Sequence, residues 1–293
     1  MKILITGANG MLGSSLCRIY HKDHKVYAFH RDDRCFSPCS ADYSLDLMDS
    51  NRVQELFIHI KPDLVIHCAG LTSVDRCEKD PELAIEANET VIENIARSCT
   101  AETKLVYLST DQVYGKTADY SEDNDGLYPV NQYGRTKLQG EKKVQELCSD
   151  YIVVRTNIFG WNVKPGRISS AEWIYRSLKK SEEITLFTDY TFSPIYTECL
   201  GDIIMNLVGE DFTGVINTGS PKPCSKYDFG IQLAEEFGFD HALINKGSIA
   251  DYNFGAPRCK NISLNVSKLS YIGLTAPDYK ASLKKFRQNK PYK

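Results

Sequence analysis

The sequence has 293 residues, of which 42% are hydrophobic and 25% are charged, and its formal net charge is -3. This length and apolar content allow a large buried core, and the lack of excess positive charge argues against a nucleic-acid partner. No run of eighteen apolar residues is present and the first residues lead straight into a predicted strand, so we expect a soluble, cytoplasmic protein without a membrane partner.

The first predicted strand, residues 3–5, is followed by three glycines that stand three residues apart and then by a helix with apolar residues at helical spacing. Glycine in such a turn permits positive φ angles, close approach of a ligand to the backbone, and tight packing of helix on strand. The start of the helix attracts a phosphate. We therefore predict a dinucleotide-binding turn that comprises Gly7, Asn9, Gly10, Met11, Leu12 and Gly13.

The second predicted strand, residues 25–29, runs into "FHRDD". An acidic residue directly at this strand end accepts the adenosine ribose hydroxyls and repels a 2′-phosphate. Here the first polar residues are His30 and Arg31, which offer a cation to a 2′-phosphate, so NADP(H) is favoured. Asp32 and Asp33 stand close by and keep NAD(H) as an alternative.

The following elements alternate between helices and strands through residue 156. Helices are predicted at 52–60, 81–99 and 131–148, and strands at 63–70, 104–109 and 151–156. Such alternation is typical of an α/β, doubly wound, Rossmann-like parallel sheet, whose ligands bind at the carboxyl ends of the strands.

The chain beyond residue 156 has a looser rhythm, with a helix predicted at 170–180 and an apolar strand at 214–220. We predict a nucleotide-binding domain at 1–156 and a smaller, mainly substrate-binding lobe at 157–293. The strand at 214–220 is expected to rejoin the main sheet, which makes the lobe interleaved with the first domain.

Two polar motifs fall at predicted strand and helix ends. "STDQVYG" begins at Ser109, and "YGRTK" places Tyr133 and Lys137 four residues apart on one helix face. A neighbouring ammonium lowers the pKa of a phenol, so Tyr133 is a candidate acid for a ketone oxygen that also accepts a hydrogen bond from Thr110. Tyr175 and Lys179 show the same spacing without these neighbours, and we interpret Tyr175 as helix surface or lobe packing.

Ten cysteines are scattered through the chain without a CxxC pair, and the two closest are Cys35 and Cys39. The six histidines also lack metal-ligand spacing. We predict inert or structural thiols and expect no metal.

"TGANGMLG", "STDQVYG", "YGRTK" and "PRCKNISLNVSKL" together resemble the extended short-chain dehydrogenase/reductase superfamily, and within it the dTDP-4-dehydrorhamnose reductase branch. The resemblance implies that Thr110, Tyr133 and Lys137 are catalytic, with Lys137 also holding the nicotinamide ribose. The other cofactor contacts that it implies are Asp46 and Leu47 at the adenine, Ala69 and Gly70 beneath the cofactor, and Asn88, which orders a relay water or is a helix-surface amide.

The resemblance also indicates the reaction. Dehydratases of the superfamily resemble "TDEVYG", in which a glutamate follows the aspartate, whereas in this chain Gln112 follows Asp111. An amide does not take the proton that the glutamate takes, so elimination of water is disfavoured. Asp111 and Gln112 are also expected to contact the substrate, together with Thr72, Val74 and Asp75 of "LTSVDRCE" and with Asn157.

The sugar-binding half departs from rhamnose-forming reductases, which usually carry a tyrosine at position 112 and a tryptophan at position 158. These departures leave the identity of the sugar open. The reaction that we expect is NADPH-dependent reduction of the 4-keto group of a nucleotide-linked 6-deoxy sugar. The alternatives are a nucleotide-sugar epimerase and a cofactor-binding regulatory subunit without turnover. A homodimer remains open.

Overall fold

The first strand, β1 (Lys2–Thr6), is buried on both of its faces. Ile3 and Ile5 belong to one hydrophobic cluster and Leu4 to another, because successive side chains of a strand point to opposite faces. A sheet buried on both faces needs helices on both sides. The structure, a computed structural model, describes residues 1–115, 122 and 126–291.

The strands of the main sheet after β1 are β2 (Lys25–His30), β3 (Ala41–Ser44), β4 (Leu64–His67), β5 (Lys104–Leu108), β6 (Tyr151–Phe159), β9 (Pro194–Tyr196) and β10 (Gly214–Thr218). Among the described residues this sheet is parallel, with the strand order β10-β6-β5-β4-β1-β2-β3 and with β9 paired to β6. The chain reverses direction across the sheet between β1 and β4. In doubly wound sheets such a point creates a ligand crevice at the carboxyl ends of the strands.

Helices cover both faces of this sheet. Those before residue 150 are α1 (Met11–Tyr20), α2 (Ser50–Ile60), α3 (Val74–Lys79), α4 (Pro81–Ile85), α5 (Val91–Ser98) and α6 (Gln132–Leu147), and those after it are α7 (Ser170–Lys179), α8 (Thr197–Gly209), α9 (Lys226–Phe237), α10 (Ser267–Tyr271) and α11 (Tyr279–Gln288). Residues of α1 and α8 pack in the first cluster, and residues of α2, α5 and α6 pack in the second. None of the described helices is long and apolar enough to cross a membrane.

The second half of the chain adds short strands outside the main sheet. These are β7 (Ile184–Phe187), β8 (Thr191–Phe192), β11 (Cys224–Ser225), β12 (Ile244–Gly247) and β13 (Asn261–Ile262). They form the small sheets β11-β8-β13 and β12-β7, while β10 pairs in parallel with β6. The α/β prediction with an interleaved second part is confirmed. The division at residue 156 stays a prediction, and its upper bound includes 292–293, which lie outside the described residues.

Three local features differ from the sequence prediction. Strand β3 was not predicted, because its residues ADYS mix polar and apolar types at the edge of the sheet. Helix α3 occupies a segment that was read as a substrate loop. The single helix predicted at 81–99 contains a π-helical segment, Glu86–Thr90, between α4 and α5. Such segments often occur at functional sites.

Candidate active site

A cleft of about 810 Å³ opens where the carboxyl ends of the central strands meet the second half of the chain. The sequence motifs after β1, β4, β5 and β6 all contribute lining residues, as do Tyr190 and Arg258 from the second half. Because parallel strands end at the same edge of the sheet, motifs far apart in the chain converge here.

The glycine turn after β1 leaves no space for side chains. Gly7 has a φ of +64°, and a Cβ atom there would lie 2.7 Å from the backbone nitrogen of Ala69. A Cβ atom on Gly13 would lie 2.3 Å from the carbonyl oxygen of Gly7. Gly10, Met11, Leu12 and Gly13 all line the cleft. The turn therefore presents bare backbone and the start of α1, which fits a pyrophosphate.

Asn9 ties this turn to the loop that follows β2. Its amide nitrogen donates to the Asp32 carboxylate at 2.8 Å and to the Arg34 carbonyl at 2.9 Å. Its amide oxygen accepts the Phe36 N–H at 2.9 Å. Asp32 in turn forms an ion pair with Lys164, which lowers the pKa of the Asp32 carboxyl. The Asn9 side chain therefore holds the glycine turn against the loop at the predicted adenosine end of the site.

The structure does not place the His30 ring at the cleft, in contrast to the prediction. The side chain is 1% exposed, and its ring nitrogens contact the Asp42 carboxylate at 2.8 Å and the Asp32 carbonyl at 3.0 Å. The contact with Asp42 exists because strand β3, which was not predicted, lies beside β2, whereas Asp32 belongs to the loop that follows β2. Arg31 is exposed, so it remains our proposed contact for a 2′-phosphate.

Asn88 lies in the π-helical segment and is 2% exposed, so the helix-surface alternative is wrong. Its amide oxygen accepts the Leu71 N–H at 2.8 Å, and its amide nitrogen donates to the Leu71 carbonyl at 3.1 Å. These bonds hold the loop that carries Ala69 and Gly70, both of which line the cleft. Asn88 therefore shapes the floor beneath the predicted cofactor position.

Asp46 and Leu47 follow β3. The exposed Asp46 carboxylate accepts the Met48 N–H at 3.0 Å, whereas the Leu47 side chain packs in the second hydrophobic cluster. The Leu47 carbonyl accepts the side-chain amide of Asn94 at 3.0 Å. Their assignment to an adenine pocket stays a proposal.

The predicted catalytic residues converge at one end of the cleft. The Asn131 side chain caps α6 by accepting the Gly134 N–H at 2.9 Å, which places Tyr133 in the first turn and Lys137 one turn later. Thr110 lies just beyond β5, and its hydroxyl oxygen accepts the Gln112 N–H at 3.2 Å. All three residues line the cleft.

The electrostatics of this group differ from the prediction. Burial raises the pKa of Tyr133, and the ammonium of Lys137 does not offset this effect. Burial also lowers the pKa of Lys137 to about 7, although the Glu141 carboxylate acts in the opposite direction. The Lys137 Nζ lies 3.9 Å from the centre of the Tyr107 ring. At neutral pH, Tyr133 therefore holds its proton firmly, and Lys137 is poised between its charged and neutral forms.

Asp111 follows Thr110 and is 1% exposed. Its carboxylate accepts hydrogen bonds from Thr110 at 3.0 Å and from the Asn157 amide at 2.6 Å. Burial raises the pKa of Asp111 to about 6, against the effect of these bonds and of the Lys226 ammonium. Gln112 also donates to Asp111, at 3.3 Å, and its amide oxygen accepts from Asn131 at 3.2 Å. The predicted contacts Asp111, Gln112 and Asn157 therefore form one hydrogen-bonded group.

A buried ion pair supports this end of the cleft from behind. Glu141 of α6 and Arg155 of β6 are 1% and 3% exposed, and two guanidinium nitrogens donate to the carboxylate at 2.7 and 3.0 Å. Ser109 donates to the same carboxylate. The pair joins α6 to β5 and β6, which fixes Tyr133 and Lys137 relative to Thr110.

Only part of the predicted substrate loop, residues 71–78, lines the cleft. Thr72 and Val74 line the cleft, whereas the Asp75 carboxylate pairs with Arg258 at 2.9 Å and accepts the Ala256 N–H at 3.0 Å. Asp75 therefore joins the loop to the C-terminal segment.

A second cavity of about 410 Å³ adjoins the cleft and shares Tyr190 and Arg258 with it. Its other polar and aromatic lining residues include Trp173, Phe187, Lys226, Tyr252 and Phe254. The sequence analysis had not singled out Lys226 or Tyr190, because no local motif marks them. Lys226 begins α9, and its ammonium lies 3.4 Å from the centre of the Phe192 ring.

In the competing Tyr-x-x-x-Lys pair, Tyr175 is confirmed as a packing residue and Lys179 is exposed. Tyr175 is 7% exposed and its ring contacts Trp161 edge-on at 5.4 Å. Trp161 itself stacks on Phe286 at 4.0 Å and donates its indole N–H to the Phe286 carbonyl at 2.9 Å. Trp161 is therefore a core residue.

Several known proteins resemble this chain in sequence and in fold. The family model described as the RmlD substrate binding domain matches residues 1–290. A probable low-salt glycan biosynthesis reductase, Agl14, of Haloferax volcanii is 31% identical over 284 residues, which cover 94% of each protein. The dTDP-4-dehydrorhamnose reductase of Escherichia coli K12 is 29% identical and aligns with 97% of this chain and 96% of its own length. A crystal structure of dTDP-4-dehydrorhamnose reductase from Bacillus anthracis in complex with NADP has a TM-score of 0.87 at 28% identity, with 99% of both chains covered.

Proposed function

The chain belongs to the RmlD substrate binding domain family, within the extended short-chain dehydrogenase/reductases, and from this membership we propose that it reduces the 4-keto group of a nucleotide-linked 6-deoxy sugar with NADPH. The observation that carries the proposal is the convergence of Thr110, Tyr133 and Lys137 at the end of a cleft that begins at the glycine turn. The relative of known structure with NADP shares the fold over its whole length.

The bare turn after β1 fits the cofactor, since a Cβ atom on Gly7 or Gly13 would collide with backbone. In our proposal the turn and the start of α1 hold the pyrophosphate, Arg31 contacts the 2′-phosphate and Lys137 contacts the nicotinamide ribose. When bound, NADPH supplies the hydride.

Tyr133 supplies the proton. Because burial raises its pKa, the phenol is protonated at neutral pH and donates to the ketone oxygen as negative charge develops there. In our proposal the Thr110 hydroxyl, which donates to Asp111 in this structure, turns its proton to the same oxygen when the ketone is bound. The Lys137 ammonium, one helical turn away, then stabilises the phenolate that remains.

The sugar is proposed to lie against Thr72, Val74 and the hydrogen-bonded group around Asp111, and the nucleotide to extend towards the second cavity. Arg258 lies where the two cavities join, so its guanidinium is the candidate contact for the diphosphate. The Gln112 amide is tied to Asp111 and Asn131 and has no acidic proton, which disfavours elimination of water.

The test is the loss of NADPH absorbance when the protein meets a panel of nucleotide-linked 4-keto-6-deoxy sugars. We expect one sugar to be reduced, and Tyr133→Phe to lower kcat by about 10²- to 10⁴-fold, the usual contribution of a general acid. Tyr175→Phe changes the matched, buried tyrosine and should leave kcat within about twofold, because that tyrosine lies outside the cleft.

Binding of NADPH to both variants should equal that of the parent protein. If NADPH binds but no sugar of the panel is reduced, the regulatory alternative replaces the proposal. Exchange between two sugars at C4 without net oxidation of NADPH would instead support an epimerase.

A further inference from the structure

An ion pair joins two loops beside the nucleotide end of the cleft. Asp32 lies in the loop that follows β2, and Lys164 lies in the loop between β6 and α7. The Lys164 ammonium donates to the Asp32 carboxylate. The two side chains are 32% and 22% exposed, so salt and water screen their attraction less than that of a fully exposed pair. The reaction proposed above does not use this pair.

Asp32 is held beside the glycine turn. The Ala8 N–H donates to the Phe29 carbonyl at 3.1 Å, which places the end of β2 against the start of the turn. The Asn9 amide donates at 2.8 Å to the Asp32 carboxylate oxygen that Lys164 leaves free. In dinucleotide-binding folds an acidic side chain at this position accepts the ribose hydroxyls of NAD(H), and its negative charge repels the 2′-phosphate of NADP(H). An Asp32 carboxylate without its cation would therefore favour NAD(H).

The loop that carries Lys164 is closed at its base. The Glu172 carboxylate accepts the Asn162 N–H at 3.0 Å and the Ser169 N–H at 2.9 Å, and Glu172 is 2% exposed. Asn162 and Ser169 also line the cleft. The ammonium therefore reaches Asp32 from a loop whose two ends are tied together at the wall of the cleft.

The pairing changes the charge that a bound cofactor meets. Hydrogen bonds from Lys164 and from Asn9 lower the pKa of the Asp32 carboxyl, so it is ionised at neutral pH and its charge is balanced by the ammonium. Each Asp32 oxygen already accepts one hydrogen bond, which reduces its capacity for ribose hydroxyls. Together the two side chains carry no net charge beside Arg31, our proposed contact for the 2′-phosphate.

We propose that Lys164 makes the site accept NADP(H) by neutralising Asp32, and that loss of this ammonium turns the preference towards NAD(H). Lys164 is then a specificity-determining residue that acts through Asp32 and not by contact with the cofactor. This role rests on the proposed cofactor site. It gives a physical reason for NADP(H) binding next to an acidic strand end.

The experiment measures the Kd for NADPH and the Kd for NADH by fluorescence titration of the whole protein and its variants. Lys164→Gln leaves Asp32 uncompensated and should raise the Kd for NADPH about tenfold, while the Kd for NADH stays the same or falls. Asp32→Asn keeps an oxygen for Asn9 and should bind NADPH at least as tightly as the parent. The double variant has neither charge, so its Kd for NADPH should return to within about threefold of the parent value.

Lys285→Gln is the matched control. Lys285 lies on α11 outside the cleft, is 33% exposed and pairs with Asp202 at 2.7 Å, so its substitution should change neither Kd. Unchanged Kd values in Lys164→Gln, an equal loss of affinity for both cofactors, or a double variant as weak as Lys164→Gln would each overturn the proposal. A parent that binds NADH more tightly than NADPH would do the same. A parent that binds neither would instead overturn the proposed cofactor site itself.

Discussion

The two ends of the cleft are built on different principles. The centre of the nucleotide end is backbone of the turn after β1, and its shape depends on the absence of side chains at Gly7 and Gly13. The sugar end consists of side chains, among them Asp111, Lys226 and Arg258, that come from distant parts of the chain. A site made of backbone tolerates few substitutions, whereas a site made of side chains changes its ligand by changing residues.

The sharpest way to break the nucleotide end is Gly7→Ala. The new Cβ would lie 2.7 Å from a backbone nitrogen, and the φ of +64° is unfavourable for alanine. We expect the free energy of unfolding to fall by about 3 kcal/mol, from strain and collision together, and the affinity for NADPH to fall at least about tenfold. Urea unfolding and fluorescence titration measure the two effects.

Gly238→Ala separates the two causes. Gly238 has a φ of +71° but no heavy atom within 4 Å of the added Cβ. This variant should lose about 1 kcal/mol of stability and retain full NADPH affinity. Equal losses of stability in the two variants would show that close packing of the turn contributes little.

Lys137→Met tests the region where the two ends of the cleft meet, because it removes an ammonium whose pKa is lowered by burial. The unfolded chain binds more protons than the folded chain between pH 7 and 10.5, because the folded pKa of Lys137 is about 7 and the unfolded value is 10.5. Stability of the parent protein therefore rises with pH in this window. Methionine does not titrate, so the variant should be more stable than the parent by about 2 kcal/mol at pH 7, and this gain should shrink towards pH 10. The full difference between the folded and unfolded pKa of Lys137 sets an upper bound of about 5 kcal/mol on the gain.

Urea unfolding at pH 7 and pH 9.5 measures this difference. Lys179→Met alters the matching lysine of the second Tyr-x-x-x-Lys pair, which is exposed, and should change stability by less than about 0.5 kcal/mol at either pH. A gain that is the same at both pH values would contradict a lowered pKa of Lys137.

The sugar end is probed by Lys226→Gln, with the smallest expected effect. The half-buried ammonium lies at the first residue of α9, where the helix end disfavours a cation, and faces Asp111 and the second cavity. We expect it to bind the sugar nucleotide, so KM for the sugar should rise about tenfold while the Kd for NADPH stays unchanged. Lys246→Gln, at an exposed lysine of β12, is the matched control and should alter neither.

If Lys226→Gln instead lowers kcat with KM unchanged, the ammonium acts on Asp111 and the reacting group and not on binding. If it weakens NADPH binding, the two ends of the cleft are coupled and the contrast between them fails.

Much of the nucleotide end was readable from the sequence because its signals are local. The glycine spacing, the strand-helix alternation, and the four-residue separation of Tyr133 and Lys137 each follow from the geometry of one turn or one helix. The same reliance on local signals explains the error at His30. The local pattern puts His30 at a strand end, but strand β3, whose own sequence pattern is weak, supplies Asp42, which contacts the buried ring.

Residue types and spacing by themselves predicted the parallel fold and the glycine turn, and they singled out Thr110, Tyr133 and Lys137, which line one cleft in the structure. Only the tertiary structure decided the pKa directions of Tyr133 and Lys137, the position of Lys226 near Asp111, and the burial of the His30 ring beside Asp42. The physical reason is the sequence distance over which each interaction acts. Helices, turns and strands are set by neighbours a few residues apart, whereas desolvation and charge contacts depend on which distant segments pack together.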